Sequence, residues 1–355
     1  MGSKEPSKSI RVMIVDDSAF MRFAISKHLA EYPDIQFVGS AHDGVEALEL
    51  IPRLQPDVIT MDVEMPRLDG LSTLRRIMAE DPRPVIMLSS LTKDGAVETV
   101  QALTLGAVDF IGKPENKASI SQIMEELVAK IRRAATVRVA VFNNHPTVIR
   151  STASSAGQTK LTRPVLSQEK IVVIGSSTGG PRALNLLVPA LPANLAAAVL
   201  IVQHMPAGFT RSLAERLDSL SPLKVKEAEP GDQLEIGRVL LAPGGFHLLI
   251  NDQGQVTLNQ NPTVHGVRPA IDVTMASVVK KYKSSVISVI LTGMGSDGTN
   301  GSALVAQSGG YVIGEDESTC VVYGMPRSVF EAGFTNEVVP LDQIARAIEK
   351  AVSVH

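Results

Sequence analysis

The sequence predicts an α/β protein built as two doubly wound, parallel-sheet domains, the second with a β-hairpin block added. Three observations carry this expectation. Short β-branched runs alternate with helical stripes along both halves, the mark of repeated β–α units and of a parallel sheet covered on both faces. A Ser/Thr/Ala/Gly tract, STASSAGQT at 151–159, separates the halves. The length, 355 residues, favours two ordinary domains over one.

In the first half the expected strands are RVMIV, QFVGSA, DVITM, PVIMLS and VDFIG, spaced to leave room for a helix after each. The last helix is expected at 119–133, where Ile120, Ile123, Met124, Leu127 and Ile131 form one apolar stripe. Composition then shifts. Residues 134–169 read as an interdomain linker, although VRVAVF (137–142) is apolar enough to pack on one domain. From Ile171 the α/β pattern resumes with IVVIG, AAVLIVQ, VISVILT and YVIG. Between them KVKEAE, RVLLAP, HLLIN and QVTLN are short and punctuated by turn signals, which suggests hairpins. The expected boundaries are 10–133, 134–169 and 170–355.

Composition weighs against several classes. The net charge of −3 and the lack of a dense Lys/Arg run argue against nucleic-acid binding. A single cysteine, Cys320, allows no intrachain disulfide and fits a reducing compartment. MGSKEPSKSIR has no apolar signal core, and Pro6 stands where a myristoylation signal wants Ser or Thr. Apolar runs are too short for membrane insertion. A cytoplasmic protein is expected.

The first group of chemical residues lies at strand ends. Asp16 and Asp17 follow RVMIV, Asp62 follows DVITM, Ser89 follows PVIML, and Lys113 follows VDFIG. In an open parallel sheet the carboxyl ends of adjacent strands converge on the ligand crevice. Three carboxylates there repel one another unless a cation joins them, and hard oxygen ligands suit Mg²⁺. A carboxylate beside Mg²⁺, with a lysine and a hydroxyl near by, can accept a phosphoryl group. VDDSAFMR, TMDVEMPRLDG, MLSS and FIGKP together resemble the receiver domain of two-component response regulators, over about residues 10–130. The resemblance implies a flavodoxin-like fold and phosphorylation at Asp62, supported by Ser89 and Lys113. It implies Mg²⁺ held by Asp16, Asp17, Asp62 and the Glu64 backbone carbonyl, and a cis Lys113–Pro114 bond. Phe110 stands at the family's aromatic switch position and has no hydroxyl, so the hydrogen-bonded form of that switch is unavailable.

The second group begins in VVIGSSTGGP (172–181), a strand breaking into a Gly/Ser turn and then a helix with Pro181 in its first turn. Alone, the turn could expose a nucleophile, cradle a phosphate or simply connect. Gly175–Gly179 fits G-x-S-x-G with Ser177 at its centre, and the following helix offers N–H groups to an oxyanion. A serine needs a base. His204 ends AAVLIVQ on the same sheet edge; His247 falls in a hairpin-like segment and His265 in a polar loop. His28, His42 and His145 lie in the first domain or linker, and His355 is terminal. The base needs an orienting carboxylate, and Asp297 follows VISVILT in GMGSDG. The order Ser…His…Asp differs from that of α/β-hydrolases, so their fold is not implied. A rival stands in the same place: Gly293–Gly298 reads G-x-G-x-x-G after a strand, with Glu315 further on, nearly a dinucleotide fingerprint. Asp297 inside that loop would repel a pyrophosphate.

IGSSTGGP, VQHMP, APG, RPAID, ILTGMGSDG and CVVYGMP resemble the catalytic domain of the chemotaxis protein-glutamate methylesterases, over residues 170–350. The resemblance implies a Rossmann-like catalytic domain with Ser177 as nucleophile, His204 as general acid–base and Asp297 as its partner. The backbone N–H groups of Thr178 and Met294 are the implied oxyanion donors, and no cofactor is implied at this second site. The implied activity is a serine hydrolase that demethylates glutamate γ-methyl esters on chemoreceptor cytoplasmic domains and deamidates receptor glutamines. The implied phosphodonor is the pathway's histidine kinase, with phosphorylation relieving inhibition by the receiver. Arg182 and Arg268 are candidates for substrate contact through their neighbouring motifs. Two alternatives remain: a receiver-controlled nucleotide-binding module, supported only by the glycine loop at 293–298, and a receiver with a protein-interaction output, in which Ser177 is only a turn residue.

Overall fold

Val12–Val15, Val58–Met61 and Val85–Leu88 are apolar at every position but Thr60, and all are buried, as strands covered on both faces must be. A computed structural model describes residues 9–90, 92–113, 120–137, 162–165 and 169–354, and divides the chain into two compact units, Met1–Asn144 and His145–His355. In the first unit the elements alternate: β1 (Ile10–Val15), α1 (Ala19–Leu29), β2 (Ile35–Ala41), α2 (Gly44–Leu54), β3 (Val58–Asp62), α3 (Gly70–Glu80), β4 (Val85–Ser89), α4 (Lys93–Leu105), β5 (Asp109–Gly112) and α5 (Ile120–Ala134). The five strands are parallel in the order β2-β1-β3-β4-β5. The order reverses between β1 and β3, which opens the crevice at their carboxyl ends. Ser18, Asp43, Asp69 and Thr92 cap α1 to α4, each side chain accepting a backbone N–H of the first turn. All five expected strands form within a residue or two of their expected limits.

Most of the expected linker, and Pro114, lie outside the described residues; of VRVAVF only Val137 is described, and it is buried. The second unit continues with β6 (Arg163–Pro164), β7 (Lys170–Ser176), α6 (Gly180–Ala190), β8 (Ala197–Gln203), α7 (Phe209–Leu220), β9 (Lys224–Glu227), β10 (Glu235–Ile236), β11 (Arg238–Leu241), β12 (His247–Ile250) and β13 (Val256–Asn259). It ends with α8 (Ile271–Tyr282), β14 (Val286–Ile290), α9 (Thr299–Gln307), β15 (Tyr311–Glu315), α10 (Met325–Glu331), β16 (Glu337–Val339) and α11 (Leu341–Val354). Its main sheet is parallel, in the order β16-β15-β14-β7-β8-β11-β9.

Of the four segments read as hairpins, β12 and β13 form one. KVKEAE and RVLLAP do not pair as a hairpin; as β9 and β11 they lie side by side in parallel and extend the main sheet. The turn signals between them serve a loop in which β10 pairs with β6, antiparallel. Ile171, Val173, Leu200 and Val202 pack with Ile271, Met275 and Ile290 in the core of this unit. That core fixes the strands whose ends carry the candidate site. β7 pairs with β8 on one side and β14 on the other, so the reversal of strand order falls beside β7.

Candidate active site

β7 ends at Ser176, and the chain turns at once into α6. Gly179 takes a left-handed φ of +81°, which a residue with a side chain adopts only under strain. Ser177 sits in this turn, half-buried, and its N–H donates to the Thr292 carbonyl at 3.0 Å. The Gln203 amide spans the neighbouring strand end. Its Nε2 donates to the carbonyls of Ser177 (2.9 Å) and His204 (3.1 Å), and its Oε1 accepts the Ser176 hydroxyl at 2.6 Å. Ser176 and Gln203 are register partners across β7 and β8. Ser177 and His204 are therefore the next residues along adjacent parallel strands, and the His204 N–H donates to the Ser176 carbonyl at 3.0 Å.

His204 Nε2 lies 2.8 Å from Asp297 Oδ2, with the imidazole 9% exposed and the carboxylate 2%. Asp297 is held on every side. Its Oδ2 also accepts the Ile271 N–H at 2.7 Å, and its Oδ1 accepts those of Asp272 (2.9 Å) and Gly298 (3.0 Å). Burial pushes this carboxyl up, but the hydrogen bond and charge of His204 and the backbone donors outweigh it and hold the group below its ordinary value. Because Asp297 takes Nε2, the ring leaves Nδ1 for another partner.

The competing histidines have structural employment. His247 is buried, with Nδ1 accepting the Ala270 N–H at 3.2 Å and Nε2 3.1 Å from the Pro262 carbonyl. His265 Nε2 meets Asp272 Oδ2 at 3.0 Å. The dinucleotide reading of 293–298 fails on the same contacts. The N–H groups of Gly298 and Gly301 at the start of α9, where a pyrophosphate would sit, donate to Asp272 Oδ1 at 2.9 and 2.7 Å. Glu315, which would have held the ribose, is fully buried and bonded to the Thr292 N–H.

Of the expected oxyanion donors, Thr178 follows Ser177 and is nearly buried, while Met294 is 46% exposed in the loop after β14. That loop lies against the turn: a Cβ on Gly293 would fall 2.8 Å from the Ser177 Cβ, so only glycine fits. Thr292, absent from the sequence expectations, joins the two segments. Its carbonyl takes the Ser177 N–H, and its hydroxyl donates to the Thr178 carbonyl at 3.0 Å. Gln203 and Asp272 were also missed. All three lie inside or beside quoted motifs, which was the available signal.

In the first unit, carboxylate oxygens of Asp16, Asp17 and Asp62 lie within 4.8 Å of one another. Asp16 and Asp62 are buried and Asp17 is exposed. Lys113 Nζ stands 2.6 Å from Asp62 Oδ2 and 3.3 Å from Asp16 Oδ2. Burial pushes the Asp62 carboxyl up to about 6, opposed by Lys113 and reinforced by Asp16. Burial also raises Asp16 against the pull of Lys113. Asp16 Oδ2 is a buried oxygen without a hydrogen bond, so the donor set fits a hard divalent cation. Ser89 ends β4 as expected, but its hydroxyl is turned to the carbonyls of Gly95 (3.1 Å) and Ser90 (3.2 Å), not to Asp62. Glu64 is exposed next to the cluster, and its N–H reaches Asp62 Oδ1 at 3.4 Å. Phe110 is buried in β5. Of the two arginines, Arg268 donates to the carbonyls of Gln260 and Asn261 at 2.8 and 2.9 Å, a structural use. Arg182 lies in α6, just after the Ser177 turn, near Glu315.

A family model described as CheB methylesterase matches residues 172–348, and one described as response regulator receiver domain matches residues 12–125. A Symbiobacterium thermophilum protein named protein-glutamate methylesterase/protein-glutamine glutaminase is 51% identical, over 99% of both chains. A Thermotoga maritima protein of the same name is 49% identical, over 97% of this chain and 98% of its own. The crystal structure of the Thermotoga maritima CheB methylesterase catalytic domain matches with 51% identity and a TM-score of 0.50, over 51% of this chain and 98% of that one. With a parallel-sheet unit at each end of the match and near-complete alignment between them, the chain belongs to the CheB methylesterase family, a response-regulator receiver domain followed by a methylesterase domain.

Proposed function

We propose that this protein is a phosphorylation-regulated serine hydrolase that removes methyl groups from glutamate γ-methyl esters on the cytoplasmic domains of chemoreceptors. The same site deamidates receptor glutamines. The observation that carries the chemistry is the buried His204–Asp297 pair at 2.8 Å, on the strand end next to the Ser177 turn.

His204 Nδ1 takes the Ser177 proton as Oγ attacks the ester carbonyl, and Asp297 stabilises the imidazolium. The negative oxygen of the tetrahedral intermediate accepts the Thr178 and Met294 N–H groups. Collapse breaks the bond to methoxide, which leaves as methanol with the proton from His204. Water, deprotonated by His204, then releases glutamate from Ser177. For glutamine the leaving group is ammonia.

In the receiver, Asp62 accepts a phosphoryl group from the phosphohistidine of the pathway's kinase. Asp16, Asp17, Asp62 and the Glu64 carbonyl would hold Mg²⁺, which when bound neutralises charge on the transferring oxygens. Lys113 supplies a further positive charge beside Asp62. Ser89 reaches the phosphoryl oxygens once its hydroxyl leaves Gly95. The phosphoryl group raises the esterase rate by binding the active arrangement better than the inhibited one. No helix among the described residues is long and apolar enough to cross a membrane, in keeping with work on receptor tails in the cytoplasm. No nucleic-acid partner enters this reading.

Methanol release from methylated receptor tests it. Ser177→Ala is expected to lose at least about 10³-fold in kcat. Full activity in that variant would remove Ser177 from the mechanism.

A further inference from the structure

The chemistry at Ser177 gives no part to Glu315, a fully buried ionisable side chain of the same unit. Glu315 is the last residue of β15 and has no exposed surface. Burial pushes its carboxyl up to about 7, against its hydrogen bonds and the nearby Arg182 guanidinium. A carboxylate in such a place needs a structural reason.

The reason is an acceptor that the sheet cannot supply. β14 and β15 stay in register to Ile290 and Gly314, and there the ladder ends. Beyond it the Asp316 N–H turns away to the Val339 carbonyl at 2.9 Å. The buried N–H of Thr292 would have no strand carbonyl to meet. Glu315 Oε2 accepts it at 2.7 Å, and Oε1 accepts the Thr319 hydroxyl at 3.0 Å. Thr292, fixed in this way, grips the catalytic turn twice. Its carbonyl takes the Ser177 N–H at 3.0 Å, and its hydroxyl donates to the Thr178 carbonyl at 3.0 Å. These two bonds bracket the Ser177 side chain and the Thr178 N–H.

We propose that Glu315 is a positioning residue for the Ser177 nucleophile and the Thr178 oxyanion donor, acting through Thr292. The proposal rests on the reading of Ser177 as nucleophile. It requires an acceptor at position 315, not a charge. A glutamine keeps the bond to the Thr292 N–H and can donate to the Thr319 hydroxyl; a leucine does neither.

The test uses the full chain, with kcat and KM for methanol release and the rate of Ser177 labelling by a small fluorophosphonate. Glu315→Leu is expected to lose about 10- to 100-fold in kcat and labelling rate, the effect of a displaced nucleophile, with KM unchanged within about threefold. Glu315→Gln restores both within about threefold. Wild-type kcat and labelling in Glu315→Leu overturn the proposal, and so does a Gln variant as slow as Leu. Should Glu315→Leu fail to fold in a thermal melt, Glu315→Met decides. It fills a similar volume without an oxygen acceptor for the Thr292 N–H, so labelling as fast as wild type overturns the proposal and slow labelling supports it. Ser177→Ala separates the two ideas: if it is active the nucleophile reading falls, and if it is inactive beside an active Glu315→Leu only the role of Glu315 does.

Discussion

Two carboxylates near the ends of neighbouring strands have opposite fates. Asp297, past β14, accepts three backbone N–H groups and His204, and its pKa is lowered despite burial. Glu315, ending β15, has fewer donors, and burial wins, raising it from 4.5 to about 7. The folded state therefore holds the Glu315 proton more tightly than the unfolded chain does. This contribution to stability is complete below pH 4.5 and is lost as pH rises through about 7, a change of about 3 kcal/mol. Glu315→Gln lacks it. Thermal melts of the full chain are expected to show wild type losing ground to Glu315→Gln between pH 4.5 and 8, with no further divergence at higher pH. Parallel curves across that range would contradict the assignment.

At the level of elements, the start of α9 holds the site together. Helix N-termini expose N–H groups that need partners. Here Asp272, from the first turn of α8, accepts those of Gly298 and Gly301, while its own N–H holds Asp297. Asn300 Nδ2 and His265 occupy its other oxygen, at 3.2 and 3.0 Å. One side chain thus caps α9 and ties α8 to the loop that carries the His204 partner. Asp272→Ala leaves the buried Gly301 N–H without its acceptor, while the Gly298 N–H keeps Asp297 Oδ1, and we expect the variant to lose about 2 kcal/mol of stability together with esterase activity. Asp272→Asn keeps an acceptor oxygen and loses less. Equal melting of the Ala variant and wild type would show the cap to be idle.

Across the whole molecule the same device appears twice. Each unit has its candidate site at the carboxyl edge of a parallel sheet, beside the strand where the order reverses: β1 and β3 in one, β7 and β14 in the other. If the first unit regulates the second through Asp62, Mg²⁺ with a small phosphodonor will raise methanol release by wild type. Asp62→Ala is expected to keep the unstimulated rate and show no rise. An equal rise in that variant would separate phosphorylation at Asp62 from esterase control.

Linear order was enough for much of this. A strand buried on both faces has to be a continuous apolar run, so β7, β8 and β14 were visible as such. The polar residues that end these runs had to lie at one sheet edge, which placed Ser177, His204 and Asp297, and likewise Asp16 and Asp62, without coordinates. Pairing was not visible. The parallel partnership of β9 and β11, the employment of His247 and His265, the turning of Ser89 toward Gly95 and the burial of Glu315 all depend on which segments become neighbours in space. Burial of an apolar run is a property of the run itself. The partner of a buried polar group is a property of two distant segments, and only their packing brings Thr292 under Ser177 and Glu315 under Thr292.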